Sequence, residues 1–362
     1  MDKKLFITIS LLLSLCSCSN NVSTSSINDS SSNIDYSKFT RVIACSDYQA
    51  ENGHNKSQEN VWDIMAQMEN DGIEYADAFF CCGDYDYNYT DSINGIKSLQ
   101  ETMSYYVEEE NMIFVQGNHD NVLPGMDNIA KTGDNSPESN EYGVFVINED
   151  DYMWYNNSEV RVKTLALQLQ NYINSKLEEN YTRPIFILSH LALNYSMRTF
   201  EDGDGVYAKY IFDILNEAGA KGLNIIFMYG HNHSNGWDDY LGGASVFLNK
   251  GDLILISDYS KKDFSEHKLN FTYMTAGYVG YYRDVNEGAD TTLSMTVMDI
   301  YYDKVIFNRY SKDGKSDLKA CGVRNEYKEE SAYNPNETVY PSPQTSQISK
   351  IVESTPINIF KK

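Results

Sequence analysis

Five short polar groups stand out in the chain: Asp47-Tyr48-Gln49, Gly83-Asp84, Gly117-Asn118-His119-Asp120, Ser189-His190 and Gly230-His231-Asn232-His233. They hold four of its six histidines, leaving only His54 and His267 elsewhere. Carboxylate and amide oxygens suit hard divalent ions, and imidazole nitrogens suit zinc, iron and manganese. Two such ions roughly 3.5–4 Å apart need a shared ligand, which a carboxylate can supply. The residue types therefore fit a centre for two divalent ions. Taken singly, the groups are weak signals. Asp47 or Asp84 alone reads as a strand-end cap, Asn118 as a turn former, and His190 as a satisfied core histidine. Their order and placement carry the signal.

Each group follows an apolar run. Residues 41–45 (RVIAC) read as a buried strand leading to Asp47, and residues 78–82 (AFFCC) lead to Gly83-Asp84. Residues 112–115 lead to Gly117, residues 185–188 (IFIL) to Ser189-His190, and residues 224–229 (NIIFMY) to Gly230. Between these runs, apolar residues recur at helical spacing. The first set is Val61, Ile64, Met65 and Met68, and the second is Ile93, Ile96, Leu99, Met103 and Val107. A third set, Leu165, Leu169, Tyr172, Ile173 and Leu177, is expected to end at Pro184. The fourth is Tyr207, Ile211, Ile214, Leu215 and Ala218. Beyond Asn235 the helical period stops. Residues 246–248, 252–257, 270–274 and 293–310 read as strands, the last turning back at Asp303-Lys304. The carboxyl ends of strands in an α/β sheet open on one crevice, so the five groups are expected to meet there. Gly83, Gly117 and Gly230 are expected to let the backbone turn as each strand ends. The βα alternation followed by a β-rich part predicts a four-layer αββα sandwich, two mixed sheets flanked by helices.

On these motifs the chain resembles the calcineurin-like metallophosphoesterase superfamily, over about residues 40–312. The resemblance implies that Asp47, Gln49, Asp84 and His233 hold one metal ion. It implies that Asp84, Asn118, His190 and His231 hold a second, with Asp84 bridging. It further implies hydrolysis of a phosphomonoester or phosphodiester, with a hydroxide between the ions attacking phosphorus in line. His119 would protonate the leaving oxygen or stabilise the pentavalent charge. Asp120 would orient His119 and keep it protonated. One departure matters: the family's first motif is usually Asp-x-His, and here it is Asp47-x-Gln49. An amide oxygen still coordinates, but less tightly than imidazole, and it favours Mn²⁺ over Fe or Zn. The alternative reading is a catalytically impaired surface lipoprotein that keeps a metal and binds a glycan or protein partner.

The 362 residues carry 52 acidic and 29 basic side chains, a formal charge of -23. Binding a nucleic acid polymer depends on Lys and Arg displacing counterions, so no such partner is expected. A small phosphoester substrate, helped by bound cations, is expected instead. Residues 1–17 read as a signal peptide, with Lys3 and Lys4 before an apolar run at 5–15 that is too short to span a bilayer. Leu15-Cys16-Ser17-Cys18 matches a bacterial lipobox. That predicts a lipid anchor on Cys18 and a body held at a membrane outside the cytoplasm. Residues 18–37 are rich in Ser and Asn and read as a flexible tether. The resemblance implies a metallophosphoesterase domain over residues 38–324, and residues 325–362 read as a polar extension. Cys45, Cys81 and Cys82 fall in apolar runs and read as small core residues, and no disulfide through Cys321 is expected. His54, Arg198 and Trp237 are secondary candidates for the site, though a solvated loop or surface role is the plainer reading of His54 and Arg198. Asp86 reads as a turn acid. Selectivity is expected in loops 121–141 and 191–205, neither of which carries a substrate signature. The sequence leaves the oligomeric state open.

Overall fold

The structure is a computed structural model. It describes residues 37–50, 56–86, 92–120, 128–148, 159–194, 205–231, 247–260, 263–280 and 293–311, with short strands beyond. All of these lie in one unit, Asp35–Lys362. In chain order the first half runs β1 (Phe39–Cys45), α1 (Lys56–Asn70), β2 (Ala78–Cys81), α2 (Ser92–Met103), β3 (Met112–Phe114), β4 (Gly133–Asp134), β5 (Gly143–Ile147) and α3 (Glu159–Glu178). There follow β6 (Pro184–Ser189), α4 (Ala208–Ala220), β7 (Asn224–Tyr229), β8 (Phe247–Leu248), β9 (Leu253–Ser260), β10 (Asp263–Lys268), β11 (Thr272–Thr275), β12 (Ser294–Tyr301), β13 (Lys304–Ser311) and β14 (Gly314–Ser316).

Two mixed sheets result. In the first, β3, β2 and β1 are parallel neighbours, and β12, β13 and β14 continue the sheet antiparallel beyond β1. In the second, the order is β4-β5-β6-β7-β11-β8, with β5, β6, β7 and β11 parallel and antiparallel strands at both edges. Strand alternation then sorts the apolar residues into three layers. Val42, Ala44, Phe80, Val144, Phe186 and Met228 face inward, and the two sheets share one core. Ile43 and Phe79 point the other way, onto Val61, Ile64 and Leu99 of α1 and α2. Ile185 and Phe227 point onto Leu165 and Leu169 of α3 and Phe212 and Leu215 of α4. The predicted αββα sandwich is the observed fold. Central strands covered on both faces explain why RVIAC and IFIL read as unbroken apolar runs.

The helix ends also have local causes. α1 stops where Gly72 takes φ 80° and the Ile73 N–H donates to the Met68 carbonyl at 2.9 Å. α3 stops in the same way at Asn180, φ 53°, with the Tyr181 N–H donating to the Lys176 carbonyl at 2.9 Å. Pro184 therefore does not end α3. It opens β6, where a fixed φ and a missing N–H are tolerated at a first strand residue. Three features had no counterpart in the sequence reading. β5 is fully buried and pairs with β6 along its whole length. β10 forms a hairpin with β9. The polar C-terminal extension returns to the first sheet, where Ile357–Asn358 pairs with Lys304 and Val305 of β13.

Candidate metal centre

β1 and β2 do not diverge where their strand hydrogen bonding ends. The Asp47 N–H donates to the Gly83 carbonyl at 2.8 Å, the Gln49 N–H to Asp84 at 2.9 Å, and the Ala50 N–H to Tyr85 at 3.0 Å. Asp47, Gln49 and Asp84 are thus carried side by side on one rim of the first sheet. The second sheet meets this rim directly. Oδ2 of Asp47 accepts the His231 main-chain N–H at 2.9 Å, and within the second sheet the Gly230 N–H donates to the His190 carbonyl at 3.1 Å, which sets the two histidine segments side by side. The five groups do converge, but across the same end of two stacked sheets rather than along one crevice of a single sheet.

The backbone of this rim is unusual. Asp47, Gln49, Asp84 and His231 all have positive φ, at 52°, 43°, 61° and 66°. Such angles are uncommon outside glycine, and a cluster of them marks a site over-determined by its surroundings. The turning therefore falls largely on the functional residues themselves. Of the three glycines, Gly83 has φ 88°. Gly117 and Gly230 are needed for close approach instead. A Cβ on Gly117 would overlap the Asp84 carboxylate, and one on Gly230 would lie 2.8 Å from Oδ2 of Asp47.

Among the described residues, Asp84, His190 and His231 are all buried and bring one donor atom each within 4.8 Å of one another. Oδ1 of Asn118 lies 2.8 Å from Nε2 of His190 and 2.9 Å from Nδ1 of His231. Those two ring nitrogens are 3.2 Å apart, and Nε2 of His190 is 3.3 Å from Oδ1 of Asp84. Nδ1 of His190 faces the Cys82 carbonyl at 2.7 Å. That contact fixes a hydrogen on Nδ1 and turns Nε2 toward the cluster, an arrangement typical of histidines that bind metals. Burial alone would lower the His190 pKa, but Asp84, with Asp47 and the Cys82 carbonyl, holds it up at about 10. Burial also opposes the charge of Asp84, yet His190 and His119 hold its pKa well below the usual carboxylate range. The carboxylate and the converging acceptor atoms call for positive charge at one point. A divalent cation would supply that charge, so the donor set fits the metal that the motifs imply.

The other expected residues fall as follows. Gln49 is fully buried, with Nε2 3.5 Å from Oδ2 of Asp84. A half-turn of its amide would present Oε1 to a cation with no other atom moved. His119 is half-buried; its main-chain N–H donates to Oδ1 of Asp84 at 2.9 Å, and its carbonyl accepts the Ser92 hydroxyl at 3.3 Å. His233, His54, Arg198 and Trp237 lie outside the described residues, as do 121–127 and 195–204 of the two loops. Asp86 is buried and bridges Ala50.

Asp120 departs from expectation. Its carboxylate accepts three main-chain N–H groups, from Asp84 at 2.9 Å, Tyr85 at 2.8 Å and Gly117 at 2.8 Å. It thus ties the Asp84 turn to the Gly117 turn and is not bonded to the His119 imidazole. Burial and the charge of Asp84 push its pKa up to about 7, against those N–H donors. Tyr273 and Asn194 had no sequence signal at all. The Tyr273 hydroxyl accepts the Leu193 N–H at 2.9 Å and the Asn194 N–H at 3.2 Å, and donates to Oδ1 of Asn194 at 2.6 Å. Its ring stacks on Tyr229 with centroids 4.8 Å apart, so one side chain braces the segments after His190 and before His231.

Among solved structures, a dimetal phosphatase from Danio rerio is similar at 12% identity and a TM-score of 0.47, covering 76% of this chain and 98% of that one. The anchor in the inner membrane complex of Plasmodium is similar at 11% identity and a TM-score of 0.46, covering 90% of each chain. A predicted phosphoesterase from Streptococcus pneumoniae is similar at 10% identity and a TM-score of 0.29, covering 76% of this chain and 92% of that one. No curated protein matches the sequence. The family description that does match is that of the calcineurin-like phosphoesterases, over residues 40–258, a stretch that includes every one of the five motif groups. By that match over more than half its length, the chain belongs to the calcineurin-like phosphoesterase family.

Proposed function

We propose that the protein hydrolyses a small phosphoester at a centre of two divalent metal ions. The observation that carries this reading is the convergence of Asn118, His190 and His231 on the Asp84 carboxylate, with both imidazoles turned toward one point. Asp84, Asn118, His190 and His231 would hold one ion. Asp47, Gln49, Asp84 and His233 would hold the other, an oxygen-rich set that suits Mn²⁺. Bound there, the ions would offset the charge of the phosphoryl group and lower the pKa of water at the site.

The remaining steps belong to the chain. The main chain of His119 is held at both its N–H and its carbonyl. Its imidazole would give a proton to the leaving oxygen as the ester bond breaks, a role worth about 10²- to 10⁴-fold in rate. Asp120 would act through the main chain, keeping Asp84 and Asn118 in register. The net charge of -23 supports a small substrate over a nucleic acid polymer. The lipobox supports anchorage through Cys18 at a membrane outside the cytoplasm, as a reading of the sequence alone.

The test is metal content per chain together with turnover of nitrophenyl phosphate and bis-nitrophenyl phosphate in Mn²⁺. Two ions per chain, turnover of either ester, and loss of turnover in His119→Ala with metal retained are expected. Full metal loading with neither ester hydrolysed, or His119→Ala at wild-type rate, would overturn the proposal.

A further inference from the structure

At the opposite end of the first sheet from the candidate metal centre, the structure has an open cavity of about 570 Å³. It is lined where β1, β2 and β3 begin, at Thr40, Asp77 and Asn111, and across to the segment entering β5. Its volume falls within the range of small-molecule sites. Its lining contains tyrosines and carboxylates and no Lys, Arg or His.

Three features make it more than a surface hollow. Tyr142 is 6% exposed, its ring packed edge-on against Phe80 and Phe186 in the core between the sheets. Its hydroxyl end reaches the cavity beside Asp77, whose charge adds to burial in pushing the phenol up to about 12. Among the described residues that hydroxyl has no hydrogen-bond partner. The ring is buried and the hydroxyl is open to the cavity, so a ligand there would supply the partner that the protein does not. The second feature is charge. Glu141 is paired with Arg183 at 2.6 Å, but the Arg41 guanidinium is committed to Asp299 at 2.7 and 3.0 Å and gives Asp77 only its main-chain N–H. Among the described residues, Asp77 and Glu108, both exposed, therefore have no cationic partner. The third is aromatic. Tyr75 and Tyr105 stand 60% and 74% exposed at the cavity, offering ring faces to which ammonium groups are attracted.

We propose that this cavity binds an aliphatic polyamine, with two or more ammonium groups set against Asp77 and Glu108, the chain between them on the tyrosine rings, and the Tyr142 hydroxyl accepting an N–H. Two uncompensated carboxylates call for a ligand with at least two positive charges. A neutral sugar would leave both of them unpaired. The site does not depend on the phosphoesterase reading, because the cavity and the metal centre occupy opposite ends of β1 and β2.

The experiment is calorimetric titration of the full chain with spermidine at low salt, without added metal. One site per chain is expected, weakened by salt. The dissociation constant should rise about tenfold in Glu108→Gln, which removes an exposed charge, and severalfold in Tyr142→Phe. Glu178→Gln, an exposed acid on α3 outside the cavity, should leave it unchanged. Many weak sites affected equally by Glu108→Gln and Glu178→Gln would mean attraction by the acidic surface alone and overturn the proposal. So would binding indifferent to Glu108→Gln and Tyr142→Phe, or a neutral oligosaccharide binding through those residues where spermidine does not.

Discussion

Replacing Asp120 by asparagine separates a residue that orients His119 from one that holds the turn carrying Asp84. In the wild type, Oδ1 accepts the Tyr85 N–H, and Oδ2 accepts both the Asp84 and Gly117 N–H groups, all at 2.8–2.9 Å. The residue is 4% exposed, so water cannot replace what is lost. An asparagine offers one acceptor oxygen. If that oxygen takes the Oδ2 position, two bonds survive without their charge, and the NH₂ group faces the Tyr85 N–H. Hydrogen bonds to charged groups are worth about 1.5–3 kcal/mol against roughly 1 for neutral ones, and a stranded buried donor costs about 1–3. The neutral variant is also relieved of the burial and Asp84 repulsion that raise the Asp120 pKa, so the net cost should be about 1–3 kcal/mol. Urea unfolding of Asp120→Asn beside wild type measures it, with the same protein assayed for bound metal. Lower stability and weaker metal retention are expected together, because the Asp84 turn loses its anchor. A stability loss under about 1 kcal/mol with metal retained and only turnover reduced would refute this reasoning and return Asp120 to the role of orienting the imidazole.

Gly117→Ala should abolish metal binding, measured as ions per chain, because its Cβ would overlap the Asp84 carboxylate and main-chain nitrogen. A folded variant with full metal content would contradict the close approach described at this glycine. Tyr273→Phe removes a buried hydroxyl that serves two main-chain N–H groups and the Asn194 side chain, and should cost about 2–4 kcal/mol in thermal or urea unfolding. A cost within 0.5 kcal/mol or so of zero would mean the loop after β6 is held by other contacts. Cys45, Cys81 and Cys82 are fully buried, and burial raises the pKa of Cys45 and Cys82 well above that of a free thiol. Mass mapping after alkylation should find all three unmodified until denaturant is added, since the thiolate is the reactive form.

Much of this fold could be read from the sequence because the strands that matter are covered on both faces. That burial forces continuous apolar runs, and a run such as NIIFMY at β7 can be bounded at both ends by polar residues. β5 shows the limit of the same signal. GVFVI is as apolar as its neighbours, but so short a run has no periodicity, and only pairing with β6 shows that it belongs in the sheet. β10 reads DFSEHK, whose charges obscure a strand defined by its partner β9. The site divides along a similar line. Residue types carried the cluster of Asp84, Asn118, His190 and His231, because donor chemistry is written in side chains. The left-handed backbone at Asp47, Gln49, Asp84 and His231 left no trace, because nothing in an aspartate or glutamine announces positive φ. The same holds for Asp120, whose partners are amides of the main chain.

Those hidden features are also the ones that make the cluster a single object. The donors come from two sheets that share a core but have no strand-to-strand hydrogen bonding between them among the described residues. What joins them at the site is a small set of polar contacts. Oδ2 of Asp47 reaches the His231 N–H, the His190 ring reaches the Cys82 carbonyl, and the Ser46 hydroxyl donates to the Gly277 carbonyl at 2.5 Å. Each contact ties a ligand, or its neighbour, on one sheet to the other. A shift of one sheet against its partner by even an ångström would break these bonds together and part Asp84 from His190, now 3.3 Å away. Asp47 is thus needed for assembly whether or not its carboxylate also touches an ion. On the proposed assignment, a glutamine in place of the family's histidine at position 49 would weaken one contact to one ion, whereas the inter-sheet contacts and the Asp84 cluster remain intact. The chemistry should therefore survive that substitution better than it would survive loss of any residue joining the two sheets.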